Sequence, residues 1–159
     1  VGVTLKHFPG LGAADINTDK ARVTNRGRPG LRPFAAGSAA GAPAVILSHA
    51  RYPALDAHHI ASQSRAIVTG LLKQRLGFTG VAMTDSLEAY AVRSRMSMEA
   101  AAVRSVRAGV DLVLTTGQGT HIRALRALTA AAHRSRAFRA RLTDAVARVL
   151  ALQDRLTRR

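Results

Sequence analysis

The chain has 159 residues, enough for one domain with a real core, and 47% are hydrophobic, which excludes a disordered chain. It has no cysteine, so disulfides, thiolate metal sites and a cysteine nucleophile are excluded. The net charge of +15 raises the question of nucleic acid, but 21 of the 24 basic residues are arginines scattered along helical patterns, so a solvated basic face is expected instead.

Residues 1–7 are a short β-branched and apolar run, stopped by Pro9-Gly10, and read as a strand. Residues 11–30 are polar and glycine-rich without a clear period, so a long loop follows. Residues 31–40 form a short helix that Gly41 ends. Residues 44–49 are a continuous apolar run of strand length. Residues 52–61, with Pro53, read as a second loop. Residues 62–76 form a helix with Ser62 or Ser64 as cap, an apolar stripe through Ile67, Val68, Leu71, Leu72 and Leu76, and Gly77 as stop. Residues 81–84 are the third strand, with Asp85 at its end. A helix over 97–108, capped by Ser97 and ended by Gly109, leads to a fourth strand at 112–115 and a loop at 116–119. Two helices close the chain, 121–132 and 138–156; in the second, Phe138, Leu142, Val146, Val149, Leu150 and Leu156 recur at helical spacing. No run of about 18 apolar residues predicts a transmembrane helix. Val1 is not an initiator Met, so targeting and compartment stay open.

Buried apolar strands alternating with helices predict an α/β fold with a parallel sheet. Four βα units are half of an eight-unit barrel, or a small doubly wound sheet; the pattern does not separate the two. Either way, sites form at the C-terminal strand ends. That rule selects Lys6-His7, Ser48-His49, Asp85-Ser86 and Thr115-Thr116. Asp85 there could attack an anomeric carbon, bind a metal, pair with a cation or cap the next helix. Lys6 at the end of a buried strand needs a partner or a ligand, or snorkels to the rim. Gly10-Leu11-Gly12 lacks the third glycine of a dinucleotide loop, since position 15 is Asp15, and reads as a turn. His58 and His59 are adjacent and cannot both face one metal from a regular element. No metal and no cofactor is expected.

The segment Lys6-His7-Phe8-Pro9-Gly10-Leu11-Gly12 resembles the K-H-F-P-G-H-G signature of glycoside hydrolase family 3. Leu76-Gly77-Phe78-Thr79-Gly80-Val81-Ala82-Met83-Thr84-Asp85-Ser86-Leu87-Glu88 resembles its L-G-F-x-G-x-x-x-S-D-D-L-E, in which the first Asp is the nucleophile. Leu31-Arg32-Pro33-Phe34, Tyr52-Pro53-Ala54-Leu55-Asp56 and Ala108-Gly109-Val110-Asp111-Leu112 also match in order and spacing. The resemblance is nearest to the single-barrel bacterial β-N-acetylhexosaminidases. It implies that residues 1–159 are the C-terminal half of a (β/α)8 barrel, lacking the earlier βα units and a sugar-binding Arg. It further implies a retaining glycosidase for β-linked sugars, with Asp85 as nucleophile, Lys6, His7, His49 and Ser86 at the sugar, and a carbohydrate substrate of cell-wall origin. Lys6 would keep Asp85 ionised.

One departure stands out. The hexosaminidase pattern continues G-H-G-D-T-x-x-D-S-H, whose Asp/His pair supplies the general acid/base. Here Asn17 and Asp19 hold those two places. Asp19 is then the candidate acid, in a partly dry site that raises its pKa. Two other readings compete: a sugar-binding or transferase-like relative with weak acid catalysis, and a basic polyanion binder. A half barrel would also expose sheet edges and an apolar inner face, so self-association of the isolated chain is expected.

Overall fold

The structure is a computed structural model that describes residues 2–12 and 14–158. Val1, expected in the first strand, lies outside the described residues, as do Ala13 and Arg159. Strand β1 (Thr4–Phe8) leads through the long loop to α1 (Arg32–Ala39) and β2 (Ala44–Leu47). A hairpin of β3 (Arg51–Tyr52) and β4 (Asp56–Ile60) follows, then a 3-10 turn (Ala61–Gln63) and a π-helix (Ala66–Arg75). The chain continues with β5 (Val81–Thr84), the short α2 (Tyr90–Arg93), α3 (Met98–Ala108), α4 (Thr120–Arg134) and α5 (Arg136–Thr157).

The main sheet is parallel and ordered β1-β2-β5, with Thr4 against Ala44 and Ala44 against Val81. Its C-terminal strand ends therefore share one edge. One face of β2 and β5 packs on Ile67, Val68, Leu71 and Leu72 of the π-helix. Phe8 meets Phe34 edge-on at 5.1 Å between ring centres. A second cluster joins Leu87, Val92 and Met98 to Ala101, Ala102 and Ala124, where alanines let α3 and α4 approach closely.

Three expectations need correction. The stretch expected as a loop at 52–61 holds most of an antiparallel hairpin. It is pinned at both ends. The buried Tyr52 hydroxyl donates to the Gly10 carbonyl at 2.9 Å, and Asp56 Oδ1 accepts the His58 and His59 N–H groups. The helix expected from Ser62 starts at Ala66, and its bonds run five residues back, as from Leu76 N–H to the Leu71 carbonyl. Ser64, just ahead of it, accepts the Ile67 N–H, while Ser62 is turned elsewhere. The fourth strand is only a parallel bridge between Met83 and Leu112. The Leu114 N–H goes to the Thr84 hydroxyl instead of a carbonyl, which interrupts the ladder.

Candidate active site

Asp85 follows the apolar β5 directly, so its side chain emerges at the sheet edge where parallel α/β folds gather their chemistry. Its Oδ1 accepts the Ser86 N–H at 2.8 Å. Its Oδ2 lies 3.4 Å from His7 Nε2, at the corresponding end of β1. Both side chains are about three-quarters buried. Asp85 caps no helix, because α2 begins five residues later behind Ala89.

Lys6, His7, Asp85 and the loop residues Leu11, Asp15, Asn17 and Asp19 line one open cleft of about 390 Å³. The loop is held by its own backbone. Asn17 Oδ1 accepts the Asp19 N–H at 2.9 Å, and the Asn17 carbonyl accepts from Lys20 and Ala21. The Thr18 and Asp19 carbonyls accept the Ala91 and Tyr90 N–H groups, docking the loop on the start of α2. A cation, an imidazole and carboxylates thus surround an open space of sugar size. Such a set can hydrogen-bond several hydroxyls and present a carboxylate to an electrophilic carbon.

Four of the expected residues have surroundings other than those expected. Asp19 is exposed among the described residues and does not sit in the partly dry site expected of it. Lys6 is exposed and makes no ion pair among the described residues; the group facing Asp85 is His7. His49 is 0% exposed and cannot touch a sugar in the cleft. Its Nδ1 lies 2.8 Å from Ser62 Oγ, and its Nε2 lies 3.0 Å from the Ser86 carbonyl. Burial is the main influence on its pKa and lowers it, against the opposing pull of the nearby Asp85 charge. Ser86 does not line the cleft either, because its hydroxyl bonds to Glu88 at 2.9 Å and lies 3.0 Å from Thr116 Oγ1.

Sequence reasoning missed Glu88, although its segment was singled out. Its carboxylate accepts from the Ser86 hydroxyl and from the Thr116 and Gly117 N–H groups, joining the Asp85 turn to the loop before α4. Burial pushes the carboxyl up. The neighbouring Thr120 side chain, whose hydroxyl donates to the Gly117 carbonyl at 2.6 Å, then the hydrogen bonds from the Gly117 N–H, the Ser86 hydroxyl and the Thr116 N–H outweigh it and hold the carboxyl at about 2. The signal was there in the Ser86-x-Glu88 spacing, since a Ser followed two residues on by a carboxylate can close a local bond. Asp15 was also missed as a cleft residue; only its neighbours in the loop indicated it. His58 and His59 lie exposed on the hairpin, with His59 Nδ1 3.1 Å from Asp56.

Comparison with known proteins identifies the fold. Residues 1–152 match the family described as the glycosyl hydrolase family 3 N-terminal domain. A protein of Arthroderma benhamiae named an uncharacterized secreted glycosyl hydrolase is 32% identical over 97% of this chain and 46% of its own length. A beta-hexosaminidase of Xylella fastidiosa is 38% identical over 70% of this chain and 35% of its own. The crystal structure of a beta-N-acetylhexosaminidase from Beutenbergia cavernae superposes with a TM-score of 0.87, at 37% identity, over 93% of this chain and 46% of that one. The chain thus spans between a third and a half of these relatives. Among the described residues, no helix is long and apolar enough to cross a membrane. The parallel strands, the alternating helices and the match to these barrel-like domains together exclude the doubly wound alternative, and the chain belongs to glycosyl hydrolase family 3.

Proposed function

We propose that the protein to which these residues belong hydrolyses β-linked N-acetylglucosaminides, with residues 1–159 forming part of one catalytic barrel and Asp85 acting as nucleophile. The observation that carries this is the Asp85 carboxylate itself, with one oxygen on the Ser86 N–H and the other facing His7 across a polar cleft. The hexosaminidase names of the relatives support the sugar class.

In this reading Lys6 and His7 hydrogen-bond sugar hydroxyls. Asp85 forms a bond to the anomeric carbon as the glycosidic bond breaks, and the departing oxygen takes a proton. Water then attacks the glycosyl ester and releases the sugar with its configuration retained. Asp19 is assigned as proton donor because the loop bonds on both sides of it fix its place on the cleft wall. Its exposure makes that assistance weak, which favours a second reading: a sugar-binding or glycosyl-transferring relative with slow hydrolysis.

Incubation of the full-length protein with a mechanism-based fluoro-sugar, followed by peptide mass mapping, tests the nucleophile. Labelling of Asp85 supports the reading; labelling of another carboxylate overturns it. Asp19→Ala and Asp15→Ala, assayed with good and poor leaving groups, test the acid. Asp19→Ala should slow the poor leaving group far more than the good one, and equal slowing of both removes Asp19 from the role.

A further inference from the structure

Ser86, the residue after the proposed nucleophile, is gripped at each of its polar groups. Its N–H donates to Asp85 Oδ1 at 2.8 Å. Its hydroxyl donates to Glu88 Oε2 at 2.9 Å. Its carbonyl lies 3.0 Å from His49 Nε2. A carbonyl only accepts, so His49 Nε2 carries the proton. Nδ1, 2.8 Å from Ser62 Oγ, then accepts from that hydroxyl. His49 and Ser62 are both fully buried, so water does not compete for either bond. The chain Ser62–His49–Ser86 thus has one self-consistent set of proton positions, and each member has its partner.

We propose that His49 and Glu88 are positioning residues for the nucleophile. They fix the Ser86 backbone and hydroxyl, and Ser86 holds Asp85 in one rotamer, with Oδ1 tied down and Oδ2 left as the attacking oxygen. This rests on the reading of Asp85 as nucleophile. The geometry separates the two oxygens. Oδ1 spends a lone pair on a backbone donor, while Oδ2 faces His7 and the open cleft. Attack needs the oxygen within about 3–3.5 Å of the carbon and aligned with it, and a displacement of about 1 Å slows such a step roughly 100-fold. Neither His49 nor Glu88 lines the cleft, so loosening Ser86 leaves substrate binding in place.

The test uses the full-length enzyme with His49→Leu, which keeps bulk and removes both bonds, and His49→Gln, which returns a donor near the Nε2 position. His49→Leu is expected to lower kcat and the rate of fluoro-sugar labelling by about 100-fold, with KM changed less than about 3-fold. His49→Gln is expected to recover at least about a tenth of wild-type kcat. If His49→Leu does not fold, Ser62→Ala takes its place; it removes only the Nδ1 partner and is expected to lower kcat about 3- to 10-fold at unchanged KM. Unchanged kcat in the folded variant, or losses in His49→Gln as large as in His49→Leu, overturns the inference. Asp85→Asn run alongside separates the two failures. If it retains turnover, the nucleophile reading falls; if it is inactive while the His49 or Ser62 variant matches wild type, only the positioning role falls.

Discussion

Asp111 binds three elements through one carboxylate. Both of its oxygens lie 2.8 Å from Lys73 Nζ on the π-helix, one also accepts from Arg141 on α5, and Oδ2 accepts the Ala82 N–H of β5 at 3.0 Å. The Asp111 side chain is wholly buried, Lys73 and Arg141 are mostly buried, and the Arg148 guanidinium lies 4.0 Å from Oδ1. Removing the charge would leave these three cations facing one another largely away from water. Asp111→Asn keeps the shape, yet it should lower stability by about 3–5 kcal/mol in a denaturant titration, because a half-broken buried ion pair costs more than a missing one. Asp111 sits at the start of its strand segment, opposite the cleft edge, so kcat below the melting range should not change. Glu88 carries a pH signature instead. Above its ordinary value of 4.5 both folded and unfolded chains are ionised, and its contribution is whole. As pH falls through 4.5 the unfolded chain takes a proton that the folded carboxyl, held at about 2, refuses, and stability drains away until about 2. Denaturation midpoints measured from about pH 5 to about pH 3 should therefore fall more steeply in the wild type than in Glu88→Gln. Parallel slopes would show that Glu88 contributes nothing.

At the scale of elements, α3 shows how a short sequence can set both ends of a helix. Ser97 Oγ accepts the Ala100 N–H at the start, and Gly109 turns left-handed, at φ 117°, at the end. A Cβ at Gly109 would also meet Thr69 Oγ1 at 2.5 Å, and that hydroxyl is engaged with the Ala108 carbonyl. Gly109→Ala therefore combines backbone strain of about 1–3 kcal/mol with a steric conflict, and its melting temperature should drop by several degrees. A wild-type melting temperature would mean that the turn can be rebuilt. This helix was legible because its cap and its stop are both local. So were β2 and β5, whose apolar runs need no context, and so was the meeting of Lys6, His7 and Asp85, which follows from the strand-end rule; Asp19, in the loop between β1 and α1, was indicated only by the resemblance of that loop to the family pattern. The β3–β4 hairpin was not legible. Strand β4, Asp-Ala-His-His-Ile, has no alternating pattern, and the hairpin's fold depends on Asp56 and on the contact of Arg51 with Thr24 in a distant loop. His49 was misassigned for a related reason: a strand-end histidine looks the same in sequence whether it faces the cleft or turns inward to a serine thirteen residues away.

At the scale of the molecule, the apolar stripe of α5 is the part that the described residues do not cover. Phe138 is buried against Val106 and Ala131, but Val146 is 50% exposed and Leu150 57%. With Leu125 and Leu128 of α4, and Leu112 and Val113 beside β5, they line a groove of about 430 Å³. Two forces act on this face when the 159 residues are expressed alone. Burying the groove against a second copy removes apolar surface from water at roughly 25 cal/mol per Å². The charge of +15 on each copy opposes the approach, but that repulsion is screened beyond about 8 Å at physiological ionic strength, whereas contact burial is not. The contact term should win, and more so as salt rises. Sedimentation velocity is expected to show dimers or larger species that grow between about 0.05 M and about 0.5 M salt, where the screening length shrinks from above 10 Å toward 4 Å. Leu125→Glu combined with Leu150→Glu places carboxylates on both walls of the groove at exposed positions, so the fold is spared and the chain becomes monomeric. A polyanion-binding surface would behave in the opposite way, since its interactions weaken with salt. A wild-type chain that stays monomeric at high salt would sink the idea that this groove is an adhesive face. The matched relatives are more than twice as long as this chain. In a full-length protein whose other residues fill the groove, the same double substitution should lower the melting temperature instead of changing the state of association.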